Sequence, residues 1–341
     1  MKLPPLKRAI FALVAIAGSF GIMIAVMWAA DLYAHSRVER SAGLNRHGYR
    51  GPVAGRKPSG ETRIVMLGGS TVYGFDMEVE DTLPAQLDRE LKKVEPNARV
   101  INLGFHQEGA IAFVPTLRSY HYLDYDIVLL YEGYNDILGD AAPNDVQRRH
   151  ASPVFRAIGY YPVLPLVLRE KAGFLRTGGG LTFKPGLADR TTASAMEASS
   201  AVAEALDRTL NRLVDPVDTA HAGPGCGAPW SHYCNSVGAA VRLARGNGQL
   251  VLVIGQPRFA YGEAERHAAQ QRALAEMIAR DFGGDRGVRY IDLFDAVDLG
   301  STQDTFDGLH LNREANGIVA ARLVEPVREL VAVRRGERGS N

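Results

Sequence analysis

Asp307-Gly-Leu-His310 places a carboxylate three residues before an imidazole. At that spacing the acid folds back onto the ring within one turn of chain. It fixes the ring's tautomer and stabilises the imidazolium that forms when the ring takes a proton. An imidazole held in this way suits the activation of a serine hydroxyl, a poor nucleophile until a base removes its proton. The candidate serine is Ser70, in Arg63-Ile-Val-Met-Leu-Gly-Gly-Ser-Thr71. The apolar run Ile64 to Leu67, closed by Gly68 and Gly69, reads as a buried strand entering a tight turn. Ser70 then stands just past the carboxyl end of a strand, the edge at which open α/β sheets bind ligands. A developing oxyanion needs donors aimed at it. Those on offer are the backbone N–H groups of Ser70 and Gly104 and the side-chain amide of Asn135. Asp304 is a rival for the acid, at a wider separation from His310.

The elements that must position these groups follow from apolar runs and breakers. Strands are expected at Arg63 to Leu67, Arg99 to Leu103, Asp126 to Tyr131, Leu250 to Ile254 and Val288 to Ile291. Helices are expected after the cap Thr82 to about Lys93, around Phe113 to Leu123, at Ser236 to Ala244, and at about Glu263 to Phe282. A last helix is expected over about Arg313 to Val333, capped by Asn312 and bent at Pro326. Five short apolar strands alternating with helices predict an α/β domain: a parallel sheet covered on both faces. All strand carboxyl ends then point one way, and Ser70, Gly104, Asn135, Gln256 and the His310 loop share one edge. The alternation stops over residues 138–235, which read as an insertion over the top of the domain with one good helix at about Ala193 to Leu213. A loop of that length is expected to carry structure of its own.

The remaining features concern the chain's address. A formal net charge of +1 in 341 residues supplies no basic field for nucleic acid. Ala9 to Ala30 is an apolar run without a charge, preceded by Lys2, Lys7 and Arg8 and followed closely by Tyr33, with Trp28 near its far end. At about 1.5 Å per residue it is long enough to cross a hydrocarbon core. An uncleaved anchor through residues 9–30 is expected; the alternative is a signal peptide, for which the run is long and no clear A-x-A site follows. Residues 36–61, rich in Gly and Pro, read as a linker or lead-in to a domain over residues 62–334, with 335–341 as a tail. Cys226 and Cys234 are the only cysteines, and a close pair in an exported chain is a disulfide candidate.

Several chemistries are set aside by pattern. The nucleophile elbow of α/β-hydrolases needs glycine two residues after the serine, where this chain has Val72. Gly-Lys-Ser/Thr of a phosphate-binding loop is absent. His and carboxylates do not cluster at metal-ligand spacings apart from Asp307 and His310.

Four blocks in order resemble the SGNH hydrolase superfamily, the GDSL-like esterases and lipases: Gly68-Gly69-Ser70-Thr71, Asn102-Leu103-Gly104, Gly133-Tyr134-Asn135-Asp136 and Asp307-Gly308-Leu309-His310. The first carries Gly-Gly-Ser in place of Gly-Asp-Ser. The lead-in Asn45-Arg-His-Gly-Tyr-Arg-Gly51 also resembles the segment that membrane-anchored members place before the first strand. The resemblance implies a flavodoxin-like three-layer α/β/α sandwich, Ser70 as nucleophile, His310 as base, Asp307 as its partner, and an oxyanion hole of Ser70, Gly104 and Asn135. It implies an esterase acting through an acyl-enzyme, with no metal or organic cofactor, anchored in a bacterial inner membrane with its catalytic domain in the periplasm. Acylated glycans and lipids are the substrate classes that suit this location, and the aromatic residues Tyr73, Phe75, Phe105, Tyr134 and Phe306 flank the site. Two alternatives stay open: an acyltransferase using the same triad on a glycan acceptor, and a non-catalytic glycan-binding protein on the same fold.

Overall fold

The computed structural model describes residues 4–137, 150, 152–165, 167, 225–258, 263–297, 304–305 and 307–339. The expected helix at Ala193 to Leu213, Phe306 and most of the 138–235 insertion lie outside these residues. The chain opens with α1 (Pro5–Ala42). The sheet then follows as β1 (Thr62–Gly68), β2 (Ala98–Asn102), β3 (Ile127–Tyr131), β4 (Leu250–Gly255) and β5 (Val288–Asp292). The helices between and after are α2 (Ser70–Tyr73), α3 (Leu83–Lys92), α4 (Phe113–Ser119), α5 (Pro153–Ile158), α6 (Ser231–Gly246), α7 (Ala264–Phe282) and α8 (Arg313–Gly339).

The five strands form one parallel sheet in the order β2-β1-β3-β4-β5, the flavodoxin-like order. Period-two alternation decides which side chain goes to which face. Ile64, Met66, Ile127, Leu129, Leu250 and Leu252 join one buried cluster, which includes Leu87 and Leu91 of α3 and Leu323 and Val327 of α8. Val65, Leu67, Val128, Leu130, Val251 and Val253 join the other, with Leu117 of α4, Val241 of α6 and Leu274 of α7. Every residue of β1, β3 and β4 is buried, as a central strand covered on both faces must be. The edge strand β5 is only partly buried.

Two caps form as their sequences dictate. Thr82 Oγ1 accepts the Ala85 N–H at 3.4 Å, and Asn312 Oδ1 accepts the Ala315 N–H at 2.9 Å. Other boundaries move. The helix α1 runs to Ala42 rather than ending near residue 35, and Leu44, Asn45, Tyr49 and Arg50 after it are buried. Residues 36–50 are therefore not a free linker: they gain apolar burial and hydrogen bonds against the domain. The helix α6 starts at Ser231, inside the stretch read as insertion, because Tyr233, Cys234 and Val237 add a turn to its buried face. The helix α8 continues through Pro326 to Gly339, past the expected start of the tail. Cys226 and Cys234 are joined by a disulfide, with Cα atoms 5.5 Å apart.

Candidate active site

The chain passes from β1 to β2 on one side and then to β3 on the other. Loops leaving adjacent strands in opposite directions open a crevice at such a switch point. Gly68 is paired with Tyr131, so the loop carrying Ser70 and the loop carrying Asn135 emerge side by side. The third contribution comes from the far end of the chain, the loop before α8. It brings His310 Nε2 to 2.8 Å from Ser70 Oγ. His310 Nδ1 lies 2.5 Å from Asp307 Oδ2. The acid is held in turn, since Asp307 Oδ1 accepts the backbone N–H groups of Leu309 at 3.0 Å and His310 at 2.7 Å. Burial pushes the Asp307 carboxyl up, but the hydrogen bonds from the His310 backbone, the His310 ring and the Leu309 backbone outweigh it and hold the group below its ordinary value. Asp307 rather than Asp304 partners the imidazole; Asp304 offers its backbone carbonyl to the Asn312 N–H at 2.9 Å.

Ser70 is the first residue of α2, so its N–H has no partner within that helix. The Asn135 side-chain amide donates to the Glu108 carbonyl at 2.9 Å, and an amide NH2 carries a second hydrogen beside it. The Gly104 N–H is engaged differently from the expectation: it donates to Asn102 Oδ1 at 2.9 Å. Asn102 also donates from Nδ2 to the Val72 carbonyl at 2.9 Å. The second block thus braces the turn carrying Ser70, and the use of its glycine N–H on an oxyanion would require that bond to be shared.

Two further residues hold the site, and neither was singled out from sequence for this role. Glu132, which follows β3 and is 3% exposed, joins the two loops. Its Oε2 accepts the Gly69 N–H at 2.5 Å, and its Oε1 accepts the N–H groups of Gly133 at 2.9 Å and Asn135 at 3.1 Å. Gly69 has no room for a side chain: a Cβ there would run into Asn135 Nδ2 and come within 2.5 Å of Glu132 Oε2. Burial, followed by the charge of Asp136, pushes the Glu132 carboxyl up against these donors, and burial does the same to Asp136. A charged residue closing an apolar strand is the sequence signal that marks Glu132.

The second is Arg50, from the lead-in block. It donates from Nη1 to the Tyr73 carbonyl at 2.7 Å and to the Gly74 carbonyl, and from Nη2 to the Met77 carbonyl. These include carbonyls that a four-residue helix leaves unsatisfied at its end. Gly74 closes α2 at φ 84°, and a Cβ there would come within 3.0 Å of Arg50 Nη1. The guanidinium also lies over the Tyr73 ring, 4.7 Å from its centroid.

Of the aromatic residues expected around the site, Phe75 lies beside the imidazole, with ring centroids 4.8 Å apart from His310. Phe75 and His106 border an open cleft of about 650 Å³ between the end of α1 and the start of α8. Burial, with Arg50 and His310 nearby, pushes His106 down to about 4. Tyr73 and Tyr134 are buried, Tyr134 donating to the Pro257 carbonyl at 2.7 Å, and Phe105 is partly buried against Tyr161.

No family model matches the chain, and no curated protein does. Among solved structures it is similar to a lipolytic protein of the G-D-S-L family from Desulfitobacterium hafniense, at 10% identity over 78% of this chain and 99% of that one, with a TM-score of 0.42. It is similar to Est24, a carbohydrate acetylesterase from Sinorhizobium meliloti, at 14% identity over 79% of this chain and 100% of that one, with a TM-score of 0.40. It is also similar to a family 3 carbohydrate esterase from Clostridium thermocellum, at 11% identity over 80% of this chain and 98% of that one, with a TM-score of 0.44. The solved structures that this chain is similar to thus include lipolytic G-D-S-L proteins and carbohydrate esterases.

Proposed function

We propose that this chain is a serine ester hydrolase of the SGNH type, held at a membrane by α1. The observation that carries the reading is the relay from Ser70 Oγ through His310 to Asp307, at 2.8 Å and 2.5 Å, assembled from opposite ends of the sequence. Ser70 Oγ attacks the ester carbonyl as His310 Nε2 takes its proton. The Ser70 N–H and the free hydrogen of the Asn135 amide stabilise the oxyanion. His310 returns the proton to the leaving alcohol, leaving an acyl group on Ser70. Water then enters, gives a proton to His310 as its oxygen bonds to the acyl carbon, and the bond to Ser70 Oγ breaks as His310 passes that proton to Oγ, releasing the acid and restoring the serine. Asp307 keeps the imidazole in the tautomer with its proton on Nδ1 and stabilises the imidazolium at each turn. The four sequence blocks favour the same assignment.

The apolar exposure of α1, which includes Ile10, Phe11, Ile16, Phe20 and Ile24, supports an anchor. The Cys226–Cys234 disulfide favours an oxidising compartment such as the periplasm. The test is hydrolysis of p-nitrophenyl esters of increasing acyl length by the full chain in detergent, beside Ser70→Ala. Activity lost in the variant supports the mechanism, and activity equal in both overturns it. A wild type that releases no acid but moves the acyl group to a sugar would be a transferase.

A further inference from the structure

We infer that the outward face of α5, which carries Val154 and Ile158, rests on the lipid bilayer from which α1 emerges. The inference rests on the anchor reading of α1 and goes beyond it. The apolar run Ala9 to Ala30 has 22 residues, about 33 Å of helix, which matches a hydrocarbon core of about 30 Å with little to spare. Polar attachment to the domain begins at the next residue. Asp31 is 5% exposed. Its Oδ1 accepts the N–H groups of Val163 at 2.9 Å and Leu164 at 2.6 Å, and its Oδ2 accepts the Tyr160 hydroxyl. One turn on, His35 Nε2 lies 2.5 Å from the Tyr161 carbonyl. Asp31, Ala34, His35 and Val38 face the domain at helical spacing. Residues 160–164 are therefore tied to α1 at the height where it leaves the hydrocarbon.

That tie sets the height of α5. Ile158 precedes Tyr160 by two residues, a reach of at most about 7 Å. The polar layer on each side of a bilayer is of similar thickness, about 5–7 Å. Phe155 is buried and turns α5 onto the domain, with Tyr120 and Tyr161 as ring neighbours. Val154 and Ile158, one helical turn apart, are left outward at 44% and 71% exposure. Ile158 is the most exposed large apolar side chain among the described residues outside α1. Arg37 stands exposed on α1 about two turns above its exit and directs its guanidinium back down the helix onto the Tyr33 hydroxyl, on the side of the anionic headgroups. An apolar side chain that is costly in water is stabilised at this boundary, and the second contact fixes the domain's orientation, which a single helix leaves free.

The test uses the full chain reconstituted in phosphatidylethanolamine–phosphatidylglycerol vesicles, with an environment-sensitive fluorophore on Ile158→Cys, on Val154→Cys, or on Val94→Cys as the exposed control. The native cysteines are paired and do not label. Retained esterase activity reports folding. The expected result is blue-shifted emission, quenching by spin-labelled lipid and several-fold weaker quenching by iodide at positions 158 and 154 than at 94. Equal iodide quenching at all three sites, in protein that resists alkaline carbonate extraction, overturns the inference and leaves the anchor standing. Release by carbonate overturns the anchor and the inference together.

Discussion

Glu132 Oε2 accepts the N–H of Gly69, the residue before Ser70, at 2.5 Å, while the other oxygen of the same carboxylate holds the N–H of Asn135 at 3.1 Å. One buried side chain thus sets the separation between the loop carrying Ser70 and the loop carrying Asn135, the proposed oxyanion donor. The Gly-Gly-Ser form of the first block follows from this, because the carboxylate and Asn135 Nδ2 occupy the space a side chain at 69 would take. Gly69→Ala and Gly69→Asp are expected to displace Ser70 by a fraction of an ångström or more. A misplacement of that order costs about 10²-fold in kcat/KM. Steady-state kinetics on a short-chain ester measure it, and wild-type rates in both variants would contradict the close approach.

Above about pH 8, where the wild-type carboxyl is ionised, Glu132→Gln keeps the shape of the side chain but turns one acceptor into a donor facing backbone N–H groups. The expected result is a kcat lower by about 10-fold or more with KM little changed, since the loss falls on oxyanion geometry rather than on substrate binding. A raised KM at unchanged kcat would place Glu132 in binding instead.

The same carboxylate predicts how stability varies with pH. Burial raises Glu132 to about 8 and Asp136 to about 7 in the folded chain, above their ordinary 4.5 and 3.8. Between the ordinary and the raised values the unfolded chain has lost protons that the folded chain retains. Stability therefore falls as pH rises through that window and levels off above about 8. Asp307 works in the opposite sense and lower down: its depressed carboxyl adds stability that is lost as pH falls below its ordinary range. Urea midpoints from about pH 5 to about pH 9 should decline for the wild type and decline less for Glu132→Gln.

Arg50 satisfies the carbonyls of Tyr73, Gly74 and Met77 from a buried position. Arg50→Met leaves those acceptors without their charged donor, at a cost of about 2–4 kcal/mol. A lowered denaturation midpoint is expected together with a loss of activity larger than the fraction unfolded explains, because the turn carrying Ser70 loses its brace. Arg50→Lys restores one donor and not the fork, and should recover only part of the stability.

The geometry of α1 bears on the substrate. Tyr73, in the same short helix as Ser70, donates from its hydroxyl to the Ala42 carbonyl at 3.3 Å. Ala42 stands about 18 Å along the helix from Ala30. In an anchored molecule the site is then held above the ester carbonyls of the bilayer itself. Reconstituted protein is expected to cleave soluble short-chain esters while leaving the phospholipids of its own vesicle intact, measured as free fatty acid by mass spectrometry. Fatty acid release at a rate comparable to the soluble ester would show that the site reaches the membrane.

The amino-acid sequence by itself determined where the strands lie and brought Ser70, Asp307 and His310 forward as candidates. Strand positions were legible because β1, β3 and β4 are buried on both faces and so read as unbroken apolar runs. Asp307 and His310 were legible because their contact is local, three residues apart on one turn of chain. Caps such as Thr82 and Asn312 were legible for the same reason. What the tertiary structure decided depends on contacts between distant segments, for which sequence spacing carries no signal. Arg50 reaches the turn carrying Ser70, Glu132 reaches Gly69 across the switch point, and Asp31 of the apolar helix ties down residues 160–164. The Gly104 N–H is the local exception: it goes to the Asn102 side chain two residues back, the turn an asparagine at that spacing favours. Of the two readings of residues 36–61, linker or lead-in, residues 43–50 take the second: their glycines permit the turns that place Tyr49 and Arg50 inside, where burial and hydrogen bonds outweigh the freedom a linker would keep.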